Sequence, residues 1–93
     1  MIIRWSDEAL AELSQILEYL AVNAPAVSRN LVLRVVQAEK YIQAFPRAAR
    51  YDPATQTYDR YIPKTRLILT YAITDNFIEI IRVWHTSRDP ESR

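Results

Sequence analysis

None of the 93 residues is glycine. Glycine takes left-handed backbone angles without steric cost, so every turn in this chain is made by residues that carry a Cβ. Loops that cradle phosphates need glycines at fixed positions. The Walker and dinucleotide-binding loops are therefore both excluded, and nucleotide-cofactor enzymes are poor candidates. Asn76, in the turn sequence Thr74-Asp75-Asn76, is the residue suited to a positive φ where glycine is missing.

The length supports one small domain over residues 1–93, burying roughly 60–65% of its unfolded surface around one two-layer core. Half the residues are apolar (49%), and Lys+Arg 12 nearly cancel Asp+Glu 11, which argues against disorder. A net charge of +1 is no general footprint for nucleic acid or membrane. With Cys 0 and His 1, no disulfide or thiolate ligand exists. Structural zinc is out, and neither a metal nor a cofactor is expected. The opening Met1-Ile2-Ile3-Arg4-Trp5 turns acidic at Asp7, unlike a signal peptide. No stretch approaches the ~20 apolar residues of a membrane span. A cytoplasmic protein is expected.

Ile2 to Trp5 reads as a strand or pairing arm. Ser6 suits an N-cap, and Asp7 and Glu8 suit the positive end of a helix dipole. Leu10, Leu13, Ile16, Leu17 and Leu20 then mark one helical face, fading near Val22–Asn23. Pro25 fits the first turn of a second helix. Its stripe is Leu31, Val35, Ala38, Ile42 and Phe45, widened by Val32, Leu33 and Val36, so more than one neighbour should cover it. The short link makes a helical hairpin, closed by Phe45-Pro46. A polar loop follows from Arg47 to Asp59. Tyr58 to Ile62 reads as a short strand, Thr65 to Ile73 as a longer one, and Phe77 to His85 as its hairpin partner. Strict alternation puts Phe77, Glu79, Ile81, Val83 and His85 on one face of that last strand. Ile78, Ile80, Arg82 and Trp84 take the other. The expected fold is α+β in the order β-α-α-β-β-β, a helical hairpin on one face of a small antiparallel sheet.

Charge is uneven. The first 45 residues carry Lys+Arg 4 and Asp+Glu 5, and the rest carry 8 and 6. Arg66 falls on the strand face without long apolar side chains, so it is expected to point away from the helices. Arginines there would suit a phosphate backbone or an acidic partner segment. Alternatively they lie over an open sheet face and pair with Asp59, Glu79 or Asp89. His85 can serve as acid or base, or be structural at the end of its strand. Tyr58 and Tyr61 beside Arg60 could stack on bases. Trp5 and Trp84 read as core or sheet-edge fillers.

The chain resembles the RelE/ParE superfamily of type II toxin–antitoxin toxins over nearly its whole length. Trp5-Ser6-Asp7-Glu8-Ala9, Glu12-Leu13, Ile16 and Tyr19-Leu20 look like the family's first helix, and Asn23-Ala24-Pro25-Ala26 like the break after it. Phe45-Pro46 with Arg50 matches a hydrophobic-x-Pro…Gly-Arg element, with Ala49 where glycine is usual. Arg66, Tyr71, Ile78-Glu79-Ile80-Ile81-Arg82-Val83 and His85-Thr86-Ser87-Arg88-Asp89 resemble the closing hairpin, with Thr86 where glycine is common.

That resemblance implies a growth-inhibiting, plasmid-stabilising toxin neutralised by a cognate antitoxin in a hetero-oligomer. Operator DNA would be bound only through the antitoxin. Two activities remain open. The RelE-like branch cleaves translated messenger RNA, using basic residues and often a C-terminal tyrosine. Here the only lysines are Lys40 and Lys64, and no tyrosine follows Tyr71. A ribonuclease would rest on Arg66, Arg82 and His85 as catalytic residues. The ParE-like branch, better matched by the Arg-Val-x-His-x-x-Arg-Asp ending, inhibits DNA gyrase without a catalytic residue. Arg60, Arg66, Arg82, His85 and Arg88 would then be the target-binding set.

Overall fold

The computed structural model describes residues 1–86. Its elements are β1 (Ile2–Trp5), α1 (Asp7–Asn23), α2 (Pro25–Ala44), β2 (Arg50–Asp52), β3 (Thr57–Tyr61), β4 (Leu67–Ile73) and β5 (Phe77–His85). The Ser6 hydroxyl accepts the Ala9 N–H at 3.0 Å, satisfying a donor that the first turn of α1 leaves orphaned. Ala24, at φ −157°, breaks the chain between the helices, and Pro25 opens α2. Leu31, Val35, Ala38 and Ile42 of α2 are buried with Ala9, Ile62, Leu67, Leu69, Tyr71, Ile78, Ile80 and Val83. Leu13, Ile16, Leu17 and Leu20 of α1 pack against this core. The extra girth of α2 is not covered among the described residues: Val32, Leu33 and Val36 are exposed.

The sheet runs β1-β5-β4-β3-β2. Three of its pairings are antiparallel, but β1 lies parallel to β5, Ile2 opposite Phe77 and Trp5 opposite Ile80, so the sheet is mixed. A parallel pairing needs a long crossover, which the intervening elements supply. Part of the expected Arg47–Asp59 loop is also strand. Arg50–Asp52 pairs with Thr57–Asp59, a hairpin too short and polar to show a pattern.

Positive φ angles fall at Gln56 (57°) and Lys64 (63°) and not at Asn76. Asn76 is spared because the Thr74 hydroxyl organises its turn, accepting the N–H groups of Asn76 and Phe77. Gln56 closes the β2–β3 hairpin, which the Asp52 carboxylate starts by accepting the Ala54 N–H. A side chain with a Cβ pays about 1 kcal/mol for left-handed geometry. Gln56→Gly is therefore expected to raise stability by up to about 1 kcal/mol, less the entropy glycine adds to the unfolded chain. Thermal unfolding checks this, with an upward shift of up to about 4–8 °C.

The β4–β5 register carries a bulge. Thr70 faces Arg82 while Tyr71 faces Ile80, leaving Ile81 as an extra residue. Strict alternation fails there. Ile78 and Ile80 are buried, and after the bulge Val83 joins them inside. No helix among the described residues is long and apolar enough to cross a membrane.

Candidate functional site

Two adjoining depressions hold most of the side chains with chemistry to offer. The first is a groove of about 580 Å³ between α1, α2 and the β3–β4 turn. Ile16, Leu20, Val27, Leu31 and Leu67 contribute its apolar surface, and Arg34, Lys64 and Arg66 its charge. The turn is braced from within. The Thr65 hydroxyl donates to the Ile62 carbonyl at 2.7 Å and accepts the Leu67 N–H at 3.0 Å. The Tyr61 hydroxyl donates to the Thr65 carbonyl. This bracing holds Lys64 in its left-handed conformation and sets Lys64 and Arg66 at the groove. Arg66 thus lines a groove with the helices, where the expectation had it pointing away from them.

The second depression, about 650 Å³, follows the end of β5. β1 stops at Trp5, so β5 beyond Ile80 has no strand on that side, and α1 side chains take over. The Ser6 N–H bonds the Ile80 carbonyl at 2.9 Å, and its hydroxyl donates to the Ile81 carbonyl at 2.9 Å. One Glu12 oxygen accepts the Val83 N–H at 2.7 Å. The other accepts Nε–H of Arg82 at 2.8 Å, with Glu8 3.8 Å from the same nitrogen. Arg82 is thus neutralised by α1 carboxylates and not by Asp59 or Glu79. On the outer sheet face Trp84 Nε1–H donates to the Thr70 hydroxyl at 2.9 Å, which donates to Asp59 at 2.7 Å. Trp5 makes its own anchor, Nε1–H to Glu39 at 2.7 Å.

Arg60 lies elsewhere. It shares a strand face with Tyr58, whose ring stacks on buried Tyr71 at 5.3 Å, and its guanidinium sits 3.8 Å from the centre of the Tyr41 ring. This is the helix-covered side, and Arg60 Nε is buried without a hydrogen-bond partner among the described residues. Tyr58 therefore serves packing, while Tyr61 is half exposed at the β3–β4 turn.

The structure brings Arg66 and His85 to one groove, and Arg82 and His85 to the neighbouring cleft. It does not gather Arg60, Arg66 and Arg82 around one point. Arg88 lies outside the described residues. The residue that sequence reasoning missed is Glu12. Its one visible signal was its place four residues after Glu8, which puts both carboxylates on one side of α1. Among the described residues no three of His, Cys, Asp or Glu cluster as a metal site.

A family profile described as "ParE toxin of type II toxin-antitoxin system, parDE" matches residues 3–90. Toxin RelE2 of Caulobacter vibrioides is 26% identical over 84 residues, covering 90% of this chain and 93% of that protein. The solved structure of a chromosomal ParDE toxin–antitoxin system from P. aeruginosa superimposes with a TM-score of 0.78. It is 20% identical in sequence and covers 91% of this chain and 95% of that one, a likeness of fold. With the profile spanning nearly every residue, the chain belongs to the ParE toxin family of type II toxin–antitoxin systems.

Proposed function

We propose that this chain acts in the cytoplasm as a toxin that arrests growth by binding DNA gyrase, without catalytic chemistry of its own, and that a cognate antitoxin silences it. The state of the arginines carries this reading. A ribonuclease built on the arginines of β3, β4 and β5 would need them to converge on one phosphate. Here Arg82 is held by Glu12 and Glu8, and Arg60 is stacked on Tyr41 on the opposite side of the sheet. Operator DNA is then reached through the antitoxin, since a net charge of +1 supplies little affinity for phosphates.

A second reading, messenger RNA cleavage, draws on Arg66 and His85, which line one groove. Pulse labelling after induction without antitoxin separates the two. Gyrase binding predicts that DNA synthesis falls first and that His85→Ala keeps most of the growth inhibition. Cleavage predicts that translation stops first and that His85→Ala or Arg66→Ala loses toxicity by about 10²-fold or more while remaining folded.

A further inference from the structure

The helices leave one margin of the sheet's inner face uncovered. All three residues of β2 are exposed, and those of β3 are at most half-buried. An unbroken line of side chains borders this margin. The Phe45 ring meets Tyr41 at 5.2 Å, and the Arg60 guanidinium lies 3.8 Å from the centre of the Tyr41 ring. Tyr58 follows two residues away on the same face of β3, and its ring meets Tyr51 at 4.7 Å. Phe45, Tyr41 and Tyr51 are exposed, and none of the five lines either depression. Arg60 is the one charge in this line. It takes part in no ion pair among the described residues, and its Nε is buried without a hydrogen-bond partner among them. Asp59, its neighbour in sequence, is turned to the other sheet face and accepts from Thr70. A charge drawn this far out of water normally has a partner of opposite sign. The Tyr41 ring face offsets it only in part.

We propose that this aromatic line around Arg60 is the face with which the toxin grips its target. Its occupant is a segment of DNA gyrase that sets a carboxylate on Arg60 and apolar side chains on Tyr41, Phe45 and Tyr51. The inference rests on the gyrase reading above and adds the surface and the chemistry of what it holds. Exposed aromatic rings grouped about a part-buried arginine have the composition of a protein-binding hot spot. A carboxylate fits the planar guanidinium with two parallel hydrogen bonds and supplies the charge that this chain does not. A nucleic acid fits less well, because one cation is too few to neutralise a row of phosphates. A second copy of this chain fits less well too, because a two-fold contact through this face sets Arg60 against Arg60.

The test measures binding of the full chain to purified DNA gyrase of its own bacterium, and inhibition of plasmid supercoiling by it. Affinity for the antitoxin encoded beside the gene is measured in parallel. Arg60→Met keeps a stem against Tyr41 and removes the charge. Phe45→Ala with Tyr51→Ala trims two exposed rings outside the core, and carries the test should Arg60→Met fail to fold. Each variant is expected to lose about tenfold or more in gyrase affinity and in inhibition, with antitoxin affinity within about twofold of the parent. Raising salt from about 50 to 200 mM should weaken gyrase binding by the parent more than by Arg60→Met. Folded variants that bind and inhibit gyrase within a factor of about 1.5 of the parent overturn the proposal. An equal salt dependence overturns the carboxylate on Arg60. Variants that lose the antitoxin as strongly as gyrase, or that lose only self-association or a labelled single-stranded RNA 12-mer, assign the face to another occupant and overturn it too. A parent chain that neither binds nor inhibits gyrase overturns the gyrase reading itself, and this assignment with it.

Discussion

Tyr71→Ala is expected to destabilise the protein by about 3–5 kcal/mol and to leave little of it folded at growth temperature. A chain this size has about 5–15 kcal/mol in total, so the loss is a large part of the whole. Tyr71 is fully buried in β4 and stacks on Tyr58, whose ring also meets Tyr51. Its hydroxyl donates to the Pro46 carbonyl at 2.7 Å, tying the sheet to the segment that follows α2. Alanine leaves a ring-sized cavity under a rigid helical layer that cannot collapse into it. Tyr71→Phe keeps the ring and loses only the bond to Pro46, for about 1 kcal/mol. Chemical denaturation of both variants measures the difference.

Burial, then the nearby Tyr58, pushes the Tyr71 hydroxyl from 10.0 up to about 12, with Arg60 pulling the other way. The folded protein therefore holds this proton more tightly than the unfolded chain does. The associated stability is fully present below pH 10 and is lost as pH rises towards 12. Tyr71→Phe should lack that part of the alkaline decline. A slope equal to the parent's between those limits would show that Tyr71 does not carry it.

Glu12→Ala is expected to cost about 2–3 kcal/mol, large for a residue on the outer side of a helix. One carboxylate makes two connections from α1 to β5, to the Val83 N–H and to the Arg82 guanidinium. Alanine strips the partner from a buried backbone donor and leaves Arg82 with only the more distant Glu8. Glu12→Gln keeps an acceptor for Val83 and should recover about half the loss. The Arg82 ion pair is half exposed, so a double-mutant cycle with Arg82→Ala should give a coupling of only about 0.5–1 kcal/mol. Coupling far above that would make the charge pair, and not the Val83 bond, the main tie.

The helices were legible because their signals are local. Ser6 caps, Asp7 and Glu8 follow, Pro25 restarts the chain, and the spacing from Leu31 to Ile42 marks the inner face. The strand expected over Thr65–Ile73 forms at Leu67–Ile73, and its alternation puts Leu67, Leu69 and Tyr71 inside. What could not be read was anything decided by a neighbour. The extra residue at Ile81 shifts the phase of β5, so Val83 goes inside although alternation from Phe77 puts it outside. The parallel pairing of β1 depends on residues some 75 positions away in sequence. Of the residues singled out for chemistry, Arg66 and His85 line one depression and Arg82 and His85 the next. Their charge state was invisible, because the carboxylates that neutralise Arg82 come from α1 and lie 70 residues or more from it.

The parallel pairing has a temporal side. β1 leaves the ribosome well before β5, its one strand neighbour in the sheet among the described residues, so its hydrogen bonds wait for residues 77–80. At about 5–20 residues per second, that wait is about 4–15 s for every molecule made. Through that interval the nascent chain has an unclosed sheet edge and an incomplete surface, with neither Arg82 nor its α1 latch in place. The toxin thus carries a delay in its own topology. A partner already present in the cell meets each new copy at the moment it becomes able to act.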